Sequence, residues 1–309
     1  MIIRALSALI YMGLLSMLSA HIFAADIFSD SFESTDMSAT NSSGFKWAAN
    51  NRTSVVTQDI NDGPVAVYNN KPIYNIVSLT MPDGTPRNWT AKTGNYSLRF
   101  RYPANKTWTE QRFDLGKPLR ELWIRYWLRV PTNFTYGAGS RRNNKFFAIW
   151  MDGYESKGDG STVWLGMEPY NNTGATLGFT YSKGKYRGSE GYKQHTPFIT
   201  TADRGRWMQI VLHLKVESSD GANDGIIQTY RRWAGESKFT KLHEMLNVPL
   251  RISGSGPDGF KKGYILGWAN APYQNDTEWL LDDFAISDSS PLAGLLGNFP
   301  KPPTNLSVQ

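Results

Sequence analysis

The clearest alternation of apolar and polar positions lies in Gly205–Val216, GRWMQIVLHLKV. Met208, Ile210, Leu212, Leu214 and Val216 fall on one side of an extended backbone, and Trp207, Gln209, Val211, His213 and Lys215 fall on the other. This predicts a strand with a core face and a decorated face. The SSDGANDG that follows is rich in residues that tolerate left-handed backbone or bond their own backbone, so Ile226–Trp233 is expected to return as a hairpin partner. The same two-residue period runs through Ser97–Tyr102, Trp108–Phe113 and Leu122–Val130. In the last of these Leu122, Ile124, Tyr126, Leu128 and Val130 oppose Trp123, Arg125, Trp127 and Arg129. Further strands are predicted at Lys145–Met151, Thr162–Glu168, Thr176–Ser182, Tyr264–Trp268 and Trp279–Ile286. The one helical candidate is KLHEMLN at Lys241–Asn247.

Evenly spaced strands joined by Gly, Asn and Asp turns predict an all-β fold, an antiparallel sandwich, in a single domain over 26–290. Asn61–Asn95 is dominated by turn formers and reads as a long surface excursion with brief strands such as Val65–Tyr68. At the start, an apolar run follows Arg4 and ends in small residues at Ala24 and Ala25, so 1–25 is expected to be a secretory signal peptide. A secreted protein, extracellular or periplasmic, is therefore expected, with no membrane contact after cleavage. Residues 291–309 are proline-rich and are expected to form a loosely attached tail.

The chain of 309 residues holds no cysteine, which removes disulfides, thiolate catalysis and thiolate metal sites. Its formal charge of +6 favours an anionic partner. With no Lys/Arg-rich run and no nucleic-acid motif, an acidic polysaccharide fits better than nucleic acid. The alternating row Trp123, Arg125, Trp127 and Arg129 suits such a ligand, because indole faces stack on sugar rings and guanidinium forks match carboxylates. An unliganded cation–π ladder would produce the same row. Paired carboxylates at alternate strand positions, which a retaining glycoside hydrolase needs, are absent; EWLLDD at Glu278–Asp283 is the nearest acidic cluster.

The opening DSFE, ELWIRYWLRVP, NNKFFAIW, GRWMQIVLHLKV and the closing EWLLDDFAIS together resemble a concanavalin A-like jelly roll, and within it the polysaccharide lyase-like members. The resemblance implies a monomer that binds a glycan and cleaves a uronic-acid polymer by β-elimination. A non-catalytic, lectin-like module is the alternative. Glu110-Gln111-Arg112 is similar to the end of the R-x-E-x-R strand of alginate-lyase jelly rolls, with Trp108 in place of the first Arg. Gln209 and His213 resemble that family's Q-I-H strand, with the His two residues later. Tyr181–Tyr186 is superficially like its tyrosine motif.

His213 is the expected base, Tyr230 in the following strand is the next candidate for acid or base, and Arg112 or Gln209 is expected to neutralise the substrate carboxylate. Trp123, Arg125, Trp127, Arg129, Glu110 and Lys215 are the expected substrate contacts. A groove histidine or a satisfied structural one would account equally for His213, and a packed aromatic for Tyr230. No cofactor is required. A structural calcium could sit between Asp30 or Glu33 and Asp282 or Asp283, whereas acids solvating an edge strand explain the same residues.

Overall fold

The computed structural model describes residues 26–57, 65–68, 71–74, 80–136, 143–154, 159–171, 174–184, 195–254, 256–293 and 295–296. Among them the chain forms two antiparallel sheets. The expected signal peptide, the end of the tail, and Lys185 and Tyr186 of the tyrosine-rich stretch lie outside the described residues.

The larger sheet is ten-stranded. Its order is β15 (Thr240–Leu246), β14 (Ile226–Trp233), β13 (Trp207–Lys215), β8 (Glu121–Arg129), β17 (Thr277–Ser287), β6 (Tyr96–Tyr102), β3 (Thr53–Thr57), β4 (Val65–Tyr68) and β5 (Lys71–Tyr74), with β1 (Asp26–Asp30) also on β17. The second sheet is seven-stranded, in the order β12 (Thr196–Ile199), β11 (Gly174–Ser182), β10 (Thr162–Tyr170), β9 (Asn144–Trp150), β16 (Phe260–Ile265), β7 (Glu110–Leu119) and β2 (Lys46–Asn51). GRWMQIVLHLKV sits well inside the larger sheet, with Ile210 opposite Tyr126 of β8 and Arg231 of β14.

The sheets meet in one core. Leu122, Ile124, Tyr126, Leu128, Met208, Ile210, Leu212 and Leu214 face Phe113, Phe147, Ile149, Val163, Leu165, Leu177 and Phe179 across it. Because strand side chains alternate, burying these positions turns the intervening ones onto two separate outer faces.

Three expectations are revised. KLHEMLN is strand β15, not a helix: seven residues are too few to nucleate a helix alone, and edge pairing to β14 satisfies their backbone. A register shift opposite Thr229 and Tyr230 lets the neighbours Leu242 and His243 both turn inward, which mimics helical spacing. The strand expected from Tyr264 begins at Phe260 and ends at Ile265, and Trp268 instead bridges Trp108. Nor is the first part of the tail loose. Leu292 is buried on the outer face of the larger sheet with Trp123, Val211, Tyr230 and Phe239, and the Phe239 N–H donates to the Leu295 carbonyl at 2.8 Å.

The predicted excursion ends as a strap across that same outer face. Trp89 packs on Val56 and Leu280, and its indole N–H donates to Glu278 at 2.8 Å. Asp282 sits at a register shift in β17, fully buried, and its carboxyl accepts the N–H groups of Lys92 (2.8 Å), Thr93 (3.1 Å) and Asp283 (2.8 Å). Burial outweighs these donors and, with Asp283 beside it, pushes the carboxyl from 3.8 up to about 7. A carboxyl whose folded value is raised holds its proton more tightly in the folded state, so its contribution is lost as pH rises from about 4 to about 7. The melting midpoint is therefore expected to fall by several degrees between pH 5 and pH 8, and Asp282→Asn to flatten that slope. A slope unchanged in the variant would place its source elsewhere.

Candidate functional site

The expected site residues divide between the two outer faces. Gln209, His213, Lys215, Tyr230, Trp123, Arg125, Trp127 and Arg129 lie on the larger sheet, and Glu110 and Arg112 lie on β7 of the smaller one. Two stacked sheets stand between them, with about 10 Å from sheet to sheet. Arg112 therefore cannot share a substrate carboxylate with His213.

On the larger sheet most of the expected chemistry is internally satisfied. His213 is 5% exposed, stacks on Trp123 at 3.8 Å with the rings 5° from parallel, and has Gln228 Oε1 at 2.8 Å from Nδ1 and Glu121 Oε1 at 2.9 Å from Nε2. Tyr230 is packed in one cluster with Leu292 and Leu295, and burial raises its phenol to about 12. Arg125 forks onto Asp26 through two bonds of 2.6 Å, and Arg129 donates to the Gly205 and Asn88 carbonyls. Lys215 pairs with Asp224 at 3.0 Å.

The acids expected to hold calcium are similarly engaged. Asp30 accepts the Phe32 N–H and the Trp47 indole N–H, Glu33 accepts the N–H groups of Asn95 and Tyr96, and Asp283 accepts the Thr93 hydroxyl. With Asp282 these are anchors for turns and for the strap. Among the described residues no three His, Asp or Glu side chains gather as a metal site.

The outer face of the smaller sheet carries a different cluster. Register places Arg112 of β7 beside Tyr264 of β16, Tyr264 beside Ala148 of β9, and Ala148 beside Trp164 of β10. The next position of β7 on this face is Glu110, which orients Arg112 through a 2.5 Å bond to Nε. Nη1 and Nη2 of Arg112 make no hydrogen bond among the described residues, and the guanidinium lies 5.8 Å from the rings of both Trp150 and Tyr154. Lys145 of β9 donates to the Tyr154 hydroxyl at 2.7 Å, and the Tyr264 hydroxyl is 3.3 Å from the same oxygen. Tyr264 is fully buried, and its phenol is raised well above the ordinary value by burial and then by Tyr154. The Tyr154 oxygen accepts from Lys145, and in its contact with Tyr264 either hydroxyl can donate.

Gly267 shows how tightly this cluster converges. A Cβ there would stand 3.2 Å from Lys145 Cβ, 3.2 Å from Tyr264 Cε2 and 3.5 Å from Glu110 Oε2. Just beyond, Trp108 and Trp268 form a bridge with ring centroids 6.4 Å apart and remain 40% and 43% exposed. Large exposed aromatic groups side by side mark an interaction surface.

Sequence reasoning found Glu110 and Arg112 but missed Lys145, Tyr154, Tyr264, Trp164 and Trp268. In NNKFFAIW a register shift at Phe146 puts two adjacent phenylalanines in the core, so simple alternation does not mark Lys145 as outward. Tyr154 and Trp268 lie outside strands and carry no periodic signal. The alternation Trp108, Glu110, Arg112 was the available clue.

No protein-family model matches the sequence, and no curated protein does. Among solved structures, an alginate lyase in complex with an alginate trisaccharide is similar at 12% identity, with 63% of this chain and 82% of that chain covered and a TM-score of 0.48. An alginate lyase from Chlorella virus is similar at 13% identity over 65% of this chain and 88% of that one, with a TM-score of 0.44. A cellulose-induced protein is similar at 14% identity over 84% and 97%, with a TM-score of 0.42. These likenesses concern fold, and residue roles follow only from the geometry of the two faces.

The contacts of His213 are those of a structural residue. His213→Ala is expected to lower the unfolding free energy in urea by about 1–3 kcal/mol, because Glu121 and Gln228 lose their partner and Trp123 its stacked ring. An unchanged unfolding midpoint would show that the pairing contributes nothing.

Proposed function

We propose that the outer face of the seven-stranded sheet binds an acidic, uronic-acid-containing polysaccharide and cleaves it by β-elimination. The observation that carries this reading is the Lys145–Tyr154 pair at 2.7 Å, set between the Nη groups of Arg112 and the exposed Trp108–Trp268 platform. Elimination needs a cation to neutralise the uronate carboxylate, an acceptor for the C5 proton and a donor for the O4 leaving group. Arg112, held at its Nε by Glu110, presents two N–H groups to the carboxylate. The Tyr154 oxygen, held by Lys145 and beside the Tyr264 hydroxyl, is placed to take the C5 proton, a step that requires its deprotonated form. The C4–O bond breaks as the C4=C5 double bond forms, and the Lys145 ammonium supplies the proton to the departing oxygen. Trp108 and Trp268 stack on a neighbouring sugar.

The chemistry requires no metal and no cofactor. It also fits an exported protein, as the N-terminal apolar run suggests, since such polymers are encountered outside the cell. A lectin-like protein could use the same platform and arginine without turnover, and the experiment below separates the two.

The full-length mature protein is expected to generate unsaturated ends from a uronate polymer, read by ultraviolet absorbance. Lys145→Ala and Tyr154→Phe are each expected to lower kcat by roughly 100-fold or more while leaving glycan affinity within a few-fold. His213→Ala is expected to retain kcat at a temperature where it is folded. Full activity in both the Lys145 and Tyr154 variants would sink the assignment, and binding without product in the wild type would establish the lectin-like reading.

A further inference from the structure

The outer face of the ten-stranded sheet is covered at two places, by the strap ending in Thr93 and by the segment at Leu292 and Leu295. Between them lies an open trough made of two adjoining depressions of about 380 and 180 Å³, which share Arg125 and Gln209 as walls. A volume of this order suits one or two sugar units. Its floor is the row Trp127, Gln209 and Arg232, adjacent by register across β8, β13 and β14.

The polar groups of this trough are arranged differently from those around Lys145. Arg125 is paired with the Asp26 carboxylate, and Arg232 donates its Nε to the neutral Gln209 Oε1 at 2.8 Å. The lining sets Arg125 and Arg232 against Asp26, Asp30 and Asp283, so the trough offers no excess of positive charge to a carboxylate. What it does offer is the Gln209 amide N–H₂, remaining guanidinium N–H groups, carboxylate and seryl oxygens, and the indole of Trp127. Lys92 and Arg232 approach that indole to 4.5 and 5.6 Å. Mixed donors and acceptors fixed around an aromatic face complement a polyhydroxylated, uncharged ring, whose hydroxyls both donate and accept.

We propose that this trough is a second carbohydrate site, selective for a neutral sugar residue, on the opposite outer face of the sandwich from the Lys145 cluster. One chain would then hold glycan by two faces at once, an acidic segment on the smaller sheet and a neutral segment or second polymer on the larger. Two such contacts on one polymer or matrix raise apparent affinity through effective concentration, with no change at either site.

The test titrates the full protein with neutral cello-, manno- and xylo-oligosaccharides and, separately, with a uronate oligosaccharide, by calorimetry. At least one neutral series is expected to bind the wild type. Trp127→Ala and Gln209→Ala are each expected to weaken that binding at least ten-fold, with uronate binding and cleavage unchanged and the fold checked by circular dichroism. The double variant Trp108→Ala/Trp268→Ala is expected to show the reverse. Absence of binding by all three neutral series would overturn the proposal. So would neutral binding that survives both trough variants, or that is lost with Trp108 and Trp268. Loss of uronate cleavage bears only on the Lys145 face and leaves these outcomes readable.

Discussion

Everything polar in this molecule is distributed by one constraint, the burial of two sheet faces against each other. Each strand must give every second residue to the common core, so the remaining side chains are sent outward on whichever sheet the strand joins. Phe113 and Leu115 commit Arg112 to the outer face of the smaller sheet as firmly as Ile210 and Leu212 commit Gln209 and His213 to that of the larger. Two groups on opposite sides of that core cannot act on one bond.

The same constraint explains what was legible in the sequence. Parity along Leu122–Val130 and Met208–Val216 assigns core and outer positions correctly, because both strands are interior and uninterrupted over those stretches. Parity is silent about sheet membership, which depends on long-range pairing. The β7 motif at Glu110–Arg112 and the β13 motif at Gln209–His213 therefore look alike in the sequence and end on opposite sides of the molecule. The register shifts at Phe146 and at Tyr230 break the two-residue period, which concealed Lys145 and gave β15 a helical look.

The two outer faces also differ in how their charges are used. On the larger sheet Arg125, Arg129, Arg232, Lys215 and His213 are paired with carboxylates, amides and carbonyls of the chain, and Asp282 is sunk beneath a strap whose backbone it holds. On the smaller sheet the Nη groups of Arg112 remain available, and a lysine and two tyrosines are strung on hydrogen bonds of 2.7 and 3.3 Å beside exposed tryptophans. Under the proposed function, the face with unspent donors next to a hydrogen-bonded Lys–Tyr pair carries the reaction, and the face with matched donors and acceptors carries adhesion.

The most direct measurement of the central claim is a crystal structure of the Lys145→Ala protein with a uronate tetrasaccharide. The geometry predicts sugar density over Arg112, Tyr154 and Tyr264, with one ring on Trp108 or Trp268 and a carboxylate facing the Arg112 Nη groups. A uronate instead seated against Gln209 and His213 on the larger sheet would contradict it.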